Sequence, residues 1–211
     1  KVAVITGSTK GIGRSIAEEM AKCGAKVVIS SRKAEVCEQV ASELKAEGYE
    51  AIAIPCHVGK KEDLQNLVDK TNEAWGDIDV LVCNAATNPV YGPTSELTDD
   101  AWDKIMDTNV KGTFWLTNMV LPQMAKKGEG SVVLLSSIAG LRGNTVIGTY
   151  GVSKAAEAAL ARNLAVEWGP KGIRVNAIAP GLIKTDFAKA LWEDPVRVKR
   201  AEDKTPLRRI G

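Results

Sequence analysis

Ser137 closes an apolar run, and Tyr150-Gly-Val-Ser-Lys154 follows in a stretch with helical spacing. Residues four apart on a helix stack on one face, with about 5 to 6 Å between Cβ atoms, so the spacing predicts Lys154 beside Tyr150. A free phenol titrates near pH ~10, and a unit charge at ~4 Å in a surface-like dielectric contributes ~4 kcal/mol, equivalent to about three pKa units. The expectation is a tyrosine drawn by the ammonium toward phenolate and the working range of a general acid and base. Ser137 would hydrogen-bond an oxygen that gains or loses charge. Proton transfer at a carbonyl is the chemistry these three residue types suit.

Such a set needs a scaffold, and the chain opens on one. Lys1-Val-Ala-Val-Ile5 is a β-branched run, Thr6-Gly-Ser-Thr-Lys-Gly-Ile-Gly13 is a glycine-rich turn, and Ile16, Ala17, Met20 and Ala21 form a helical stripe. In a strand, turn and helix of this kind, Gly7 allows the tight turn and Gly11 lets backbone approach a phosphate. Gly13 lets the helix pack on the strand, so that free amides at the positive helix end face an anion. The spacing is G-x-x-x-G-x-G rather than G-x-G-x-x-G, and behind a strand it points to dinucleotide binding. Strands are expected near residues 2–5, 26–30, 51–54, 79–83, 131–136 and 173–178, with amphipathic stretches between them. That alternation predicts an α/β fold: a Rossmann-like, doubly wound parallel sheet with helices on both faces and the ligand at the carboxyl ends of the strands.

Composition narrows the class. With 211 residues, 45% of them hydrophobic and 5% aromatic, and no repeat or linker, residues 1–211 read as a single dinucleotide-binding and catalytic domain. No run reaches the about 18 apolar residues of a membrane span. The formal charge is only +2. The basic cluster Arg197, Lys199, Arg200, Lys204, Arg208 and Arg209 is interleaved with acids, and reads as a solvated helix face rather than a nucleic-acid surface. Cys23, Cys37, Cys56 and Cys83 lack metal-ligand spacing and read as buried thiols of a reducing compartment, so a cytoplasmic location is expected and a peroxisomal one is compatible. His57 is the only histidine, which argues against a histidine metal cluster or a charge-relay triad, and no metal is expected.

The end of the second expected strand speaks to cofactor choice. A carboxylate about 20 residues after the glycine loop would bond a free ribose 2′-hydroxyl and repel a 2′-phosphate. Ser31 stands there instead, followed by Arg32 and Lys33, with Lys10 in the loop. Two or three cations and a hydroxyl can converge on a phosphate, which favours NADP(H).

With both ends in view, the chain resembles the short-chain dehydrogenase/reductase family over essentially its whole length. Five motifs carry the likeness: the glycine loop, Asn84-Ala-Ala86, Asn109 in a long helix, the Ser137/Tyr150/Lys154 set, and Pro180-Gly-Leu-Ile-Lys-Thr185. The resemblance implies that Tyr150 is the proton donor or acceptor, that Ser137 polarises the carbonyl, that Lys154 holds the nicotinamide ribose and lowers the Tyr150 pKa, and that Asn109 anchors a water in a proton relay. It implies cofactor contacts from Gly7, Ser8, Thr9, Lys10, Gly11, Ile12 and Gly13, from Ser31 and Arg32, from His57 and Val58, and from Asn84 and Ala85. Tyr150, Lys154, Pro180, Gly181, Ile183 and Thr185 complete that set. His57 replaces the usual adenine-contacting aspartate, and Asn84-Ala-Ala86 the usual Asn-Ala-Gly. Cys56-His-Val-Gly-Lys60, Asn84 to Pro89, Pro180 to Phe187 and Leu191-Trp192 look like the NADPH-dependent carbonyl reductases of the peroxisomal retinal-reductase type and their bacterial relatives. The activity implied is hydride transfer between NADP(H) and a ketone, aldehyde or secondary alcohol. Two alternatives stay open: a 3-oxoacyl-carrier-protein reductase, for which only Lys171 of the expected basic pair is present opposite Ser131, and a non-catalytic nucleotide-binding regulator.

The substrate pocket is expected between Asn88–Gly92, Leu141–Val146 and Phe187–Trp192, with Tyr91, Phe187 and Trp192 making it apolar. Family members pair their long helices across a two-fold axis. The apolar residues Trp102, Trp115, Leu116, Met119, Val120, Ala155, Ala158, Ala159, Ala161 and Trp168 fit such a face, so a homodimer or homotetramer is expected. Both ends read as trimmed, because family members continue past Leu207-Arg-Arg-Ile-Gly211 into a further helix and a last strand.

Overall fold

Alternation along the first strand, β1 (Val2–Thr6), decides the layering: Val4 faces one apolar cluster, and Ala3 and Ile5 face another. All five residues of β1 are buried, as a strand covered on both faces must be. In the computed structural model, which describes residues 1–211, the strands β1, β2 (Lys26–Ser30), β3 (Ala51–Ala53), β4 (Val80–Cys83), β5 (Gly130–Leu135) and β6 (Ile173–Ile178) form one sheet. Its order is β3-β2-β1-β4-β5-β6, and every pairing is parallel. This is the doubly wound arrangement expected. The order reverses between β1 and β4, which opens a crevice at their carboxyl ends.

The helices α1 (Gly11–Lys22) and α2 (Ala34–Ala46) cover one face, through Ala17, Ala21, Val40, Ala41 and Leu44. The opposite face is covered by α3 (Lys61–Trp75), α5 (Gly112–Lys127) and α6 (Gly148–Trp168), through Leu64, Leu67, Leu116, Val120, Met124 and Leu164. The helix α4 (Asp99–Met106) runs into α5 through a π-turn at Asp107–Lys111, so Asn109 sits on a widened turn rather than within a regular helix. After β6 the chain crosses a short loop into α7 (Lys189–Trp192) and α8 (Pro195–Lys204).

Three of the four cysteines are buried, while Cys23 is exposed, a departure from the reading of all four as core. The apolar surface on α4, α5 and α6 is also divided. Leu116 and Val120 belong to the core, whereas Trp102, Phe114, Val152 and Val166 face solvent. No helix is long and apolar enough to cross a membrane.

Candidate active site

The glycine loop is held from below. The Thr6 hydroxyl accepts the Asn84 and Ala85 amides at 3.0 and 3.1 Å, and Asn84 Nδ2 donates back to the carbonyls of Thr6 and Gly7 at 2.9 and 3.2 Å. Gly7 and Gly11 have φ of 67° and 56°, left-handed values that favour glycine. A Cβ at Gly13 would collide with the Gly7 carbonyl and Asn84. Lys10, at the start of α1, offers no side-chain cap, and the first turn of α1 has no acid, so its amides are available to an anion.

Ser137 lies just past β5, where its Oγ accepts the Ala139 amide at 3.1 Å. It reaches Tyr150 because the turn Ile138–Gly140 and the start of α6 touch backbone to backbone. A Cβ on Gly140 would stand 2.7 Å from the Ala155 amide, and one on Gly151 would stand 2.6 Å from the Ala139 carbonyl. The buried Ser136 hydroxyl fastens the same seam by donating to the Lys154 carbonyl at 2.7 Å.

Lys154 corrects the simple helical-neighbour expectation. Its Nζ is 5.6 Å from the centre of the Tyr150 ring, donates to the Leu135 carbonyl at 2.6 Å, and lies 2.6 Å from Oε2 of Glu157. Lys154 is 1% exposed and Glu157 0%. The Tyr150 hydroxyl is accordingly held above the ordinary tyrosine value rather than below it: burial raises it most, the Glu157 charge adds to that, and a hydrogen bond with Ser137 lowers it. Burial likewise pushes the Glu157 carboxyl up to about 7, with Lys154 pulling it down.

A single cavity of about 1050 Å³ joins these parts. Every residue expected for catalysis or cofactor contact lines it except two. Ser8 is buried and spends its hydroxyl as a brace between β1 and β2, donating to the Ile5 carbonyl at 2.7 Å and accepting the Ser30 amide at 2.9 Å. Asn109 is buried too. Its side chain bonds Thr87 N, Thr87 O and Ser153 Oγ at 2.8, 3.0 and 3.0 Å, and its carbonyl accepts the Thr113 hydroxyl at 2.8 Å. It fastens the Thr87 loop to α6 instead of facing the cavity.

The other contacts are local. Ser31 Oγ lies 3.2 Å from the Cys37 sulfur, and His57 Nδ1 accepts the Gly59 amide at 3.1 Å, which leaves its Nε2 edge free to donate. Asn88, Tyr91, Arg142–Val146 and Phe187 line the cavity as expected, and the Phe187 ring centre lies 5.9 Å from that of Tyr150. Trp192 does not line it, because its indole turns to donate to the Thr185 carbonyl at 2.6 Å.

Charge is lopsided around the cavity. Lys10, Arg32 and Lys33 line it together with Lys104, Arg142, Lys154, Arg197, Arg200 and Lys204, nine cations against the single carboxylate Asp186, which sits 3.5 Å from Lys10. The chain as a whole has 28 basic and 26 acidic residues. Half of the basic cluster read as a solvated helix face, namely Arg197, Arg200 and Lys204, therefore borders the cavity. The free α1 amides, the left-handed glycines and this cationic wall fit a dinucleotide carrying several phosphates.

Sequence and fold comparisons agree with this geometry. A family model described as short chain dehydrogenase matches residues 1–196. The rabbit (Oryctolagus cuniculus) dehydrogenase/reductase SDR family member 4 is 47% identical over the whole chain, which covers 81% of that protein, and the human protein of the same name is 44% identical with 76% covered. Among solved structures, a gluconate 5-dehydrogenase from Burkholderia cenocepacia in complex with NADP and tartrate superposes with a TM-score of 0.95 at 29% identity, the match covering this whole chain and 82% of that one. A putative gluconate dehydrogenase from Agrobacterium tumefaciens gives 0.96 at 30% identity, covering the whole chain and 83% of the other. The chain belongs to the short-chain dehydrogenase/reductase family and is an oxidoreductase of that kind.

Proposed function

We propose that the protein is an NADP(H)-dependent carbonyl reductase, passing a hydride between the nicotinamide and a ketone, aldehyde or secondary alcohol. One observation carries this reading: a single cavity runs from the glycine loop and Arg32 to Ser137 and Tyr150. The glycine-loop amides and Lys10 would hold phosphates, Arg32 beside Ser31 would meet the 2′-phosphate, and Ile183 and Thr185 would border the nicotinamide end. Bound there, the reduced nicotinamide supplies the hydride.

The chain's own residues handle the proton. Ser137 and Tyr150 hydrogen-bond the carbonyl oxygen, and Tyr150 gives its proton as negative charge develops there. Because burial keeps the phenol protonated across the neutral range, Tyr150 is in the form that reduction requires. Oxidation needs the phenolate and is favoured only at alkaline pH. Lys154, pinned by Leu135 and Glu157, faces the Tyr150 ring and would bond the ribose. A panel of ketones, diketones, retinaldehyde and an oxoacyl thioester, scored by NADPH consumption, tests the assignment. Turnover of the thioester alone would favour the oxoacyl reductase, and no turnover of any member would overturn the reading.

The same reading extends to assembly. Trp102 and Phe114, both exposed on α4 and α5, leave apolar surface for a second copy of the chain. A light-scattering mass of one chain at micromolar concentration would dispose of that dimer or tetramer.

A further inference from the structure

Glu157 is a fully buried carboxylate whose one ionic partner is the equally buried Lys154. Neither of its oxygens completes a well-aligned hydrogen bond, and the 2.6 Å approach of Lys154 is its only ion contact. Burying a carboxylate is costly, and replacing a buried ion pair by apolar side chains is often neutral or stabilising. The groups that face Glu157 are Lys154 and Tyr150 on its own helix, the Thr113 hydroxyl on α5 and the Cys83 thiol on β4. Lys154 is the only cation among them, and it already has the Leu135 carbonyl as an acceptor.

We propose that Glu157 is a positioning residue for Lys154, whose buried carboxylate holds the ammonium between helix and sheet and offsets the field it exerts on the Tyr150 hydroxyl. This rests on the reading of Tyr150 as the acid; the Glu157 charge adds to the burial that holds the tyrosine hydroxyl above its ordinary value. With Glu157 charged, the ammonium and carboxylate act on the phenol as a near-neutral pair. Removing or protonating the carboxylate leaves the ammonium unopposed. Glu157 thus biases the site toward a proton-donating Tyr150 and so toward reduction. Two helical turns separate residues 150 and 157, roughly 10 Å, and a unit charge at that distance in an effective dielectric of about 20 moves a titration by about one pH unit.

The test uses the chain's small number of tyrosines, three in all. In a Tyr49→Phe/Tyr91→Phe background, phenolate absorbance reports Tyr150 alone. Glu157→Gln should lower the Tyr150 midpoint by about one pH unit, and Glu157→Asp, which keeps the charge, should track the parent. Coincident Gln and parent titrations would overturn the proposal. If Glu157→Gln does not fold, Glu157→Met preserves length without charge and is read in the same way.

Stability gives a second readout. The folded chain holds the Glu157 proton more tightly than the unfolded chain, so this group's stabilisation is fully present below its ordinary value of 4.5 and is lost as pH rises through about 7. Across that window the parent's thermal midpoint should decline relative to that of Glu157→Gln, and parallel curves would count against a charged, buried Glu157. The carbonyl panel separates the two claims. An inactive parent whose tyrosine midpoint still moves would sink the reductase reading and leave the Glu157–Tyr150 coupling standing. An active parent with coincident midpoints would do the reverse.

Discussion

The two walls of the cavity are built differently. The wall that carries the glycine loop grows from β1, buried at every residue, and is clamped by Thr6 and Asn84 into the middle of the sheet. The wall formed by residues 185–211 contributes no buried residue from α7 or α8. It is held by the Trp192 bond to Thr185, by Gly211 bonding Lys184 and Leu182 at 2.7 and 3.0 Å, and by Phe187 against Tyr150. The first wall is part of the core, so altering it affects folding and cofactor together. The second is a cover whose residues can change without disturbing the core. Ser137, Tyr150 and Lys154 stand on the seam between them.

The seam should give the largest effect. Tyr150→Phe removes one hydroxyl and little volume, so turnover should fall by about 100- to 10,000-fold with cofactor affinity nearly intact. A purified variant that reduces the best substrate at more than about a tenth of the parent rate would fall outside that range and take the acid role from Tyr150.

Next comes the rigid wall. The change Ser31→Asp with Arg32→Val should erase a preference for NADPH over NADH of about 10- to 150-fold, the worth of one charge-assisted contact of about 1.5 to 3 kcal/mol. Lys10 already faces Asp186 at 3.5 Å, whereas Arg32 is in no salt bridge, so Arg32 should carry most of the preference. Fluorescence titration of both cofactors decides it, and equal affinities in the parent would remove the basis for the assignment.

The smallest effect belongs to the cover. Trp192→Phe deletes the bond to Thr185, worth about 0.5 to 1.5 kcal/mol, and should raise substrate KM about two- to tenfold. Its melting temperature should match the parent's. A clear drop in melting temperature would show that α7 is part of the core after all and would break the contrast between the walls.

Sequence made the rigid wall legible because most of its constraints are local: a β-branched strand and glycines where the backbone turns left; the clamp between Thr6 and Asn84 joins residues far apart in the chain and shows only in the fold. The strand positions follow for the same reason: β2 and β6 have the expected bounds, β1, β3 and β4 differ from theirs by one residue at one end, and β5 by one residue at each end. Side-chain direction was less legible. Ser8 lies among cavity-lining neighbours yet points into the sheet, and Asn109 spends its amide on Thr87 and Ser153. Trp192 turns away from the cavity for a carbonyl that no periodicity reveals.

Glu157 was the consequential omission. A glutamate in an alanine-rich helix reads as a solvent-facing residue, and only the depth of α6 between the sheet and α5 puts Glu157 in the interior. The tyrosine's direction of shift changed with it. Spacing alone pairs Tyr150 with Lys154, but whether the ammonium acts freely depends on the third member of the row.

The crowd of cations around the cavity also bears on how quickly a ligand arrives. In a chain whose charges almost cancel, eight exposed cations and one carboxylate border one opening, with Lys154 buried against Glu157 beneath them, and give that face an excess of positive charge. Approaching polyanions are then oriented and concentrated at the opening before any contact forms, an enhancement of about 10- to 1,000-fold in encounter rate that mobile ions suppress. Ionic strength therefore governs how often the site is visited, whereas the seam of half-buried Ser137 and Tyr150 and buried Lys154 answers to it less. Capture and chemistry answer to different solvents, one to the bulk electrolyte and the other to the protein interior.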